Sequence, residues 1–378
     1  MTTAPPPTAV QRASARLPLV RRSHLVYPSF ATRIEELRTC AERSARPGPL
    51  TGRIDAACAT WNLSALIASD CGLPELAADL CIRQLHLFQA AWPVSGDVAI
   101  AALQPMANLI RLTARSGATG TAYQQLVDLC QAVHHGGAVT LHGQRIDFTP
   151  FATPATVRHI QPWLRFLMVD DGTRLLAATS QWAEAAQHAI IYDPEPSRLF
   201  DSRQARIVAS WHANDSDTAN ALLDEALITE PWEDAVRQLL RHGSETLAGR
   251  ARDGLFTAVL NSARTAVEAT EPHTRMFRVR LVRTVIALAP ANSQKLTEPL
   301  CRTVLDETQK AGDAFAAREI LRSPIPITNA KQRMDLESLV HNGNLGQGAI
   351  PATDLTTMEE ALDLAGVSLT DCLTQQER

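Results

Sequence analysis

The stretch WNLSALIASDCGLPELAADLC (residues 61–81) contains two apolar helical segments separated by four small or polar residues. In the first segment Leu63 and Ile67 lie one helical turn apart, and leucine and alanine resume at helical spacing after Gly72. The first segment stops at Asp70 and Gly72, and glycine most readily adopts the left-handed conformation that ends many helices. The stretch therefore predicts a hairpin of two helices with a tight turn at Gly72.

The same turn pattern recurs along the chain. A residue suited to a helix C-terminus is followed five residues later by alanine, whose small side chain lets the second helix cross the first closely. The pairs are Gly72 and Ala77, Gly117 and Ala122, Ser180 and Ala185, Asn214 and Ala219, and Gly312 and Ala317. Because the pairs lie in matching apolar contexts, the sequence predicts an all-α fold, an α-solenoid of helix–turn–helix hairpins.

One segment breaks the helical pattern. In GGAVTLHGQRIDFTPF (136–151), Val139 and Leu141 alternate with polar residues on one side of His142 and Gly143, and a second alternating run follows. Alternation on both sides of a two-residue turn is typical of a β-hairpin. We expect one small β-hairpin inserted in the helical array.

The two ends of the chain differ in composition from its middle. Residues 1–30 contain arginines and prolines but no acid, which predicts a flexible basic leader. We expect the helical hairpins over residues 31–322. The proline-rich break SPIPIT (323–328) then opens a C-terminal section, residues 323–378, in which helices would cap the array.

Two segments, GLPELAADL (72–80) and QWAEAAQHA (181–189), resemble tetratricopeptide-like helical repeats. The resemblance extends loosely over residues 55–320 and implies stacked hairpins with a concave surface that binds a partner. The regularly placed tryptophan, tyrosine and proline of the full repeat are absent, so binding of peptide tails does not carry over to this chain.

Composition excludes several function classes. A net charge of −4 argues against a nucleic-acid partner, and no apolar stretch approaches the roughly 18 residues that span a membrane. Seven cysteines without a CxxC motif indicate reduced thiols in the cytoplasm. Nucleotide, phosphate and serine-hydrolase motifs are absent, and we interpret His134, His135 and His142 as a polar loop, so no metal and no cofactor are expected. A homodimer stays open.

The stretch HTRMFRVRLVRTVIALA (273–289) has apolar residues all around a helix, which predicts burial. It also carries four arginines, which are Arg275, Arg278, Arg280 and Arg283. A buried guanidinium needs an anionic partner. The partners are either internal or a bound anion in an arginine-lined groove. Internal candidates are Asp313, Glu319, Asp201 and Asp70.

Other polar residues extend the list of ligand-binding candidates. In ALQPMANLIRLTA (102–114), Gln104, Asn108 and Arg111 share one helix face, either as a solvated stripe or as part of a groove. Further candidates stand near predicted helix ends and in the arginine-rich helix, namely Arg174, Asp201, Arg203 and Arg275.

Several segments, among them SALIASDCGLPELAADLC (64–81), RSGATGTAYQQL (115–126) and LFDSRQARIVA (199–209), resemble helical proteins of actinobacterial genomes. This group is similar in role to the aziridine-forming proteins of antibiotic pathways. The resemblance implies an enzyme, a cofactor-independent cyclase in which the amine of a carrier-bound amino acid displaces sulfate from the neighbouring carbon.

Such a cyclisation requires a folded substrate, a base for the ammonium and a cation clamp on the departing oxyanion. Arg278 and Arg280 are the candidates for the clamp, and Asp70 or His159 for the base. The function that the sequence favours is a helical-repeat protein whose arginine-lined groove binds an anionic small molecule or an acidic carrier protein in natural-product biosynthesis. The cyclase and a protein–protein interaction scaffold are the alternatives.

Overall fold

The structure, a computed structural model, describes residues 8–376 apart from 25, 27–28, 95, 269–270 and 292. The first helices are α1 (Ala9–Ser14), α2 (Phe30–Ala45), α3 (Leu50–Asp70), α4 (Pro74–Gln89), α5 (Gly96–Arg115) and α6 (Thr119–His135). Strands β1 (Ala138–Leu141) and β2 (Gln144–Asp147) follow, and then α7 (Pro154–Leu167), a π-helical turn (Met168–Gly172) and α8 (Thr173–Ala178). The next helices are α9 (Trp182–Tyr192), α10 (Asp201–His212), α11 (Ser216–Asp224), α12 (Pro231–Leu247) and α13 (Asp253–Glu268). A 3-10 turn (Pro272–Thr274) leads to α14 (Arg275–Leu288), α15 (Gln294–Ala311), α16 (Ala314–Leu321), α17 (Ala330–Asn342) and α18 (Ala352–Gln376). The predicted all-α helical-repeat fold with one small β-hairpin is confirmed.

The five predicted helical hairpins all form, with the turn geometry that the sequence pattern requires. The first residue of each pair has a positive φ, which is +88° at Gly72, +92° at Gly117, +60° at Ser180, +57° at Asn214 and +65° at Gly312. The five alanines are all 0% exposed, so each lies where the paired helices are in closest contact. In the opening stretch the Leu73 N–H donates to the Ala68 carbonyl at 2.9 Å and closes the turn.

The β-hairpin also forms where it was expected. Val139 pairs with Ile146 and Leu141 with Gln144, and the two-residue turn between them has positive φ at both positions. Val139 and Leu141 are buried, so one face of the hairpin packs on the helices. The alternating pattern in the sequence therefore identifies the buried face.

The described residues divide into two compact units, each built from two separate stretches of chain. Unit 1 takes its residues from 1–28 and 169–341, and unit 2 from 29–168 and 342–378. This division differs from the expected single array over residues 31–322 with a cap at 323–378. Hydrophobic patterning identifies helix faces but not which distant helix covers them, so this pairing was missed.

In unit 2 the C-terminal helix α18 packs against α2 and α3, at the beginning of the unit rather than at the end of a long array. Its buried residues recur every three or four positions, at Met358, Leu362, Ala365, Leu369 and Cys372. The preceding loop is held by backbone hydrogen bonds from Gly346 to Asp70 and from Gly348 to Cys71, both 2.7 Å. The described C-terminal residues thus complete the core around the opening stretch.

In unit 1 the N-terminal segment is part of the core, which corrects the expectation of a flexible leader for residues 8–24. Helix α1 packs against α14, and Val10, Leu17 and Leu19 are all less than 7% exposed. The buried amide of Gln204 holds Leu19 from both sides, accepting from its N–H at 2.7 Å and donating to its carbonyl at 2.9 Å. Residues 1–7, 25 and 27–28 of the expected leader lie outside the described residues.

Candidate functional site

A cavity of about 300 Å³ lies in unit 1, and its lining is dominated by arginines. The backbone and side chains of Ala15–Val20 form one wall, and α8, α14 and α16 supply the rest. The charged lining residues are Arg16, Arg174, Arg280, Arg283 and Glu319. Four arginines and one carboxylate therefore line the same small cavity.

Arg280 is the cation that the protein leaves uncompensated. Among the described residues its guanidinium has no hydrogen-bond or ion-pair partner, although it lies on the otherwise buried helix α14. Its side chain is accessible to solvent in the cavity, yet the surrounding protein and the Arg174 cation lower its pKa. The group stays charged at neutral pH, so an anion beside it would be stabilised.

Arg283 and Arg16 add charge on either side of Arg280. Arg283 forms an ion pair with Glu319, while burial and the neighbouring cations Arg16 and Arg280 lower its pKa. The Arg16 guanidinium donates to the Arg12 carbonyl, and burial lowers its pKa. The Nε–H groups of Arg16 and Arg283 are buried without an acceptor among the described residues. The cluster therefore contains several like charges and two N–H groups that have no acceptor among the described residues.

Arg174 reaches the cavity through a network of buried carboxylates. Its Nε lies 3.1 Å from Asp201 Oδ1 and 3.4 Å from Asp170 Oδ1, and both acids also pair with Arg22. Burial opposes the charge on Arg174, but Asp201 and Asp170 outweigh it and raise its pKa. Burial raises the pKa of Asp170. Asp201, a predicted ligand residue, therefore orients Arg174 instead of facing a ligand.

Two other arginines of α14 are neutralised inside the protein, as the internal ion-pair alternative expects. Arg275 Nη1 lies 2.9 Å from Asp313 Oδ2, with both side chains buried. Arg278 Nη2 lies 2.8 Å from Glu307 Oε2, and its Nη1 donates to the Thr274 hydroxyl at 2.7 Å. Neither Arg275 nor Arg278 lines the cavity, so the expected clamp reduces to Arg280.

Arg203 has a structural role in unit 1. Its buried guanidinium donates to the Leu222 carbonyl at 2.6 Å and, through Nε, to the Pro196 carbonyl at 2.9 Å. These bonds hold the loop before α10 against the end of α11. The predicted ligand role of Arg203 has no counterpart in the cavity lining.

A histidine that the sequence did not single out lies in the field of the cavity arginines. Burial among surrounding atoms, then Arg280 and Arg174, lower the pKa of His24 to about 4, although Asp313 acts in the opposite direction. Its backbone N–H donates to the His273 carbonyl at 2.8 Å, which fixes the end of the N-terminal segment. The imidazole is therefore neutral at pH 7.

A second cavity, of about 280 Å³, lies in unit 2 between α3, α4 and α5. It brings together all three predicted residues of the polar stripe, Gln104, Asn108 and Arg111, and adds Arg115. The stripe is therefore part of a groove and not only a solvated helix face. Since Arg115 continues it at the next helical position, it could have been included from the sequence.

The two proposed bases also lie in unit 2. Asp70 is buried and paired with the fully buried Arg33, with 2.9 Å between Oδ2 and Nη2. His159 is exposed, and its Nε2 lies 3.0 Å from Asp97 Oδ1. Neither residue lines the arginine cavity of unit 1, and the clamp residue Arg280 belongs to the other unit.

A cluster of metal-ligating side chains would indicate a metal site, and a long apolar helix would indicate a membrane span. No cluster of three or more histidine, cysteine, aspartate or glutamate side chains has the arrangement of a metal site there. No described helix is both long and apolar enough to cross a membrane. Burial raises the pKa values of Cys58, Cys81 and Cys130 to about 12, which makes these thiols unreactive.

Comparison with known protein families, curated proteins and solved structures finds no match to this chain. The resemblances to tetratricopeptide-like repeats and to the aziridine-forming proteins therefore stay predictions.

The prediction from the sequence missed three charged residues at the cavities or gave them no role. Arg16 stood in the segment interpreted as a flexible leader, and Arg283 was grouped with its neighbours without a role. Arg115 lies four residues after Arg111, and that spacing was the available signal. For Arg16 no local signal exists, because its neighbours in space are distant in sequence.

Proposed function

We propose that this protein binds a small oxyanion, such as a phosphate or sulfate group on a metabolite, in the arginine cavity of unit 1. The observation that carries the proposal is the Arg280 guanidinium, which has no partner among the described residues and faces a cavity with three further arginines. Guanidinium groups match phosphate and sulfate oxygens by paired hydrogen bonds.

The electrostatics support an anion of more than one charge. Burial, followed by the neighbouring cations, lowers the pKa values of Arg283 and Arg280, so the like charges of the cluster repel one another. An oxyanion among them would relieve this repulsion and accept from the solvent-accessible guanidinium of Arg280. A volume of about 300 Å³ suits a small molecule, at the low end of ligand pockets, which span roughly 300–1,000 Å³. An acidic carrier protein and a biosynthetic setting stay predictions of the sequence.

The test is a titration of the purified protein with inorganic phosphate, sulfate and pyrophosphate against chloride, followed by calorimetry. We expect saturable binding of the oxyanions and a loss of about 10- to 100-fold in affinity in the Arg280→Gln variant. Arg302→Gln is the matched control, because Arg302 is an exposed arginine of unit 1 whose ion pair among the described residues is with Glu298. Equal affinities in both variants would reject the cavity as the site.

Catalysis beside the same cavity is the second candidate, because the imidazole of His24, although it is not a lining residue, lies within the electrostatic influence of Arg280 and Arg174. In the proposed displacement an amine nitrogen attacks the neighbouring carbon, the C–O bond breaks, and sulfate leaves with the electron pair towards Arg280. His24 would accept the ammonium proton, and a bound anion would first raise its low pKa by offsetting the field of Arg280. Sulfate release from 2-aminoethyl hydrogen sulfate, compared between wild type and His24→Gln, tests this step. Equal release with and without protein rules it out for this substrate.

A further inference from the structure

The cavity of unit 2 has a composition different from the arginine cavity. Its lining combines side-chain amides and guanidinium groups with leucine, alanine and a buried cysteine. No Asp or Glu belongs to its described lining. It is therefore suited to an amphipathic anion more than to a bare inorganic ion.

Arg115 is one of the charged residues that line this cavity. Its Nη1 donates to the Ser69 hydroxyl at 2.6 Å, and no carboxylate among the described residues pairs with it. Arg111, one turn earlier on α5, donates through Nη1 to Asn108 Oδ1 at 3.3 Å. Both arginines present donors of the kind that bind a carboxylate.

Side-chain amides form the next part of the lining. Asn108 uses both ends of its amide, since it accepts from Arg111 and donates to Asn62 Oδ1 at 3.1 Å. The Nδ2 group of Asn62 and the whole amide of Gln104 have no partner within the described part of the protein. A donor and an acceptor are thus available together, which is the pattern that a ligand amide would satisfy.

The remaining lining is apolar. Leu66, Leu112 and Ala65 supply hydrocarbon surface, and the Cys81 thiol adds to it because burial raises its pKa to about 12. The volume of about 280 Å³ limits the ligand to a small molecule. Apolar surface here would take a branched aliphatic side chain.

From these three groups together we infer that unit 2 carries a second ligand site, which binds a small N-acylated amino acid with an aliphatic side chain. The carboxylate lies at Arg115 and Arg111, the amide at Gln104 and Asn62, and the side chain against Leu66. The site is separate from the arginine cavity, because its residues all belong to unit 2.

The experiment uses the full-length protein and three matched ligands followed by calorimetry. N-acetyl-L-leucine carries all three features, hexanoate lacks the amide, and N-acetyl-L-leucinamide lacks the carboxylate. We expect saturable binding of N-acetyl-L-leucine, weaker binding of hexanoate and the weakest binding of the leucinamide. Equal binding of all three, or no saturation by about 10 mM N-acetyl-L-leucine, would overturn the inference.

Variants locate the site. Arg115→Gln should weaken N-acetyl-L-leucine binding by about 10- to 100-fold, while Arg46→Gln, an exposed arginine of unit 2, should not. Gln104→Leu should remove the preference for N-acetyl-L-leucine over hexanoate. An unchanged affinity in Arg115→Gln would contradict the site even where the ligand binds. Tighter binding of a pentapeptide ending in leucine would show that the cavity takes a chain end and would overturn the small-ligand assignment.

The second ligand site and the proposed oxyanion site can be tested independently. Arg280→Gln should leave N-acetyl-L-leucine binding unchanged, and Arg115→Gln should leave phosphate binding unchanged. Loss of both activities in either single variant would contradict two independent sites.

Discussion

Arg33 Nη2 lies 2.9 Å from Asp70 Oδ2, and both side chains are buried, Arg33 completely. This pair explains why the apolar helix of the opening stretch ends in a carboxylate. The guanidinium of α2 is buried where α3 ends, and Asp70 supplies a carboxylate that pairs with it there. The Asp70 backbone carbonyl also accepts from Gly346, so the same residue holds the loop before α18.

Replacing Asp70 by asparagine should strongly destabilise the protein. Removing one member of a buried ion pair leaves the other charged and unpaired, which costs about 3–5 kcal/mol. Urea unfolding of Asp70→Asn measures this loss. Glu42→Gln removes a carboxylate that pairs, within the described part of the chain, with the exposed Arg38 and Arg46, and it should cost less than about 1 kcal/mol. If the two variants unfold at the same urea concentration, the pair is not structural.

Arg280→Gln should have the opposite effect on stability. The substitution removes a cation that repels Arg283 and Arg174 and that no acid among the described residues neutralises. We expect the melting temperature without added anions to rise by about 1–2 °C. Added phosphate should then stabilise the wild type more than the variant. A melting temperature lowered by several degrees would indicate that Arg280 has a structural partner after all.

Substitutions in two of the hairpin turns should change the free energy of unfolding in opposite directions. Gly72 has φ +88°, and an added Cβ would meet nothing closer than Gly346 Cα at 3.5 Å, so Gly72→Ala introduces backbone strain without a clash. We expect a loss of about 1–2 kcal/mol. Ser180 has φ +60° and is exposed, so Ser180→Gly should be neutral or stabilise by up to about 1 kcal/mol. Chemical unfolding measures both, and a loss of stability in Ser180→Gly would contradict the turn assignment.

His24 should make stability depend on pH in the weakly acidic range. Its pKa is about 4 in the folded protein, against 6.5 for the unfolded chain. The unfolded state therefore binds more protons between these values, so the contribution of His24 is complete above pH 6.5 and is lost as the pH falls towards 4. Solvent reaches the imidazole and reduces the size of the effect.

The comparison is between wild type and His24→Gln in urea unfolding at pH 7.5, 6, 5 and 4. The difference between the two proteins should change steadily in favour of the variant as the pH falls. Saturating phosphate should make that change smaller, because a bound anion favours the protonated imidazole and so brings the folded-state pKa closer to the unfolded value. A difference that is constant over this range would contradict the assignment.

Gln204 should affect anion binding without facing the cavity. It holds Leu19, and Leu19 belongs to the wall that completes the arginine cavity. Gln204→Leu removes these hydrogen bonds and should weaken phosphate binding several-fold while hydrogen exchange of residues 8–24 rises. Ser210→Ala on the same helix is the control, because its hydroxyl donates to the Arg206 carbonyl of its own helix and has no further partner among the described residues. Unchanged exchange in Gln204→Leu would show that the segment is held by other contacts.

The helical hairpins were predictable because their signals are local. Gly72 and Ala77 stand within one turn of each other, and the conformation of the first residue and burial of the second follow from their side chains. Arg33 and Asp70 lie 37 residues apart, and no sequence pattern links them. The ion pairs of α14 were foreseen as an alternative, but which arginine stays uncompensated depends on α15 and α16.

The N-terminal segment could not be predicted from the sequence. Helix α1 has six residues, too few for a helical period to be recognised, and its partners lie in α14. Arg16 therefore looked like one more charge in a basic leader. Only the tertiary structure brings it to the cavity of Arg280.

The division of unit 1 into two stretches of chain has a consequence for biosynthesis. The wall at Ala15–Val20 meets Arg280 and Arg283, which a ribosome adds only after all of residues 29–168 have emerged. At typical translation rates the apolar side chains of Leu17 and Leu19 wait on the order of tens of seconds for their covering helices. Unit 1 therefore cannot complete its fold while its N-terminal segment is being synthesised. A chaperone that shields this segment would raise the yield of folded protein.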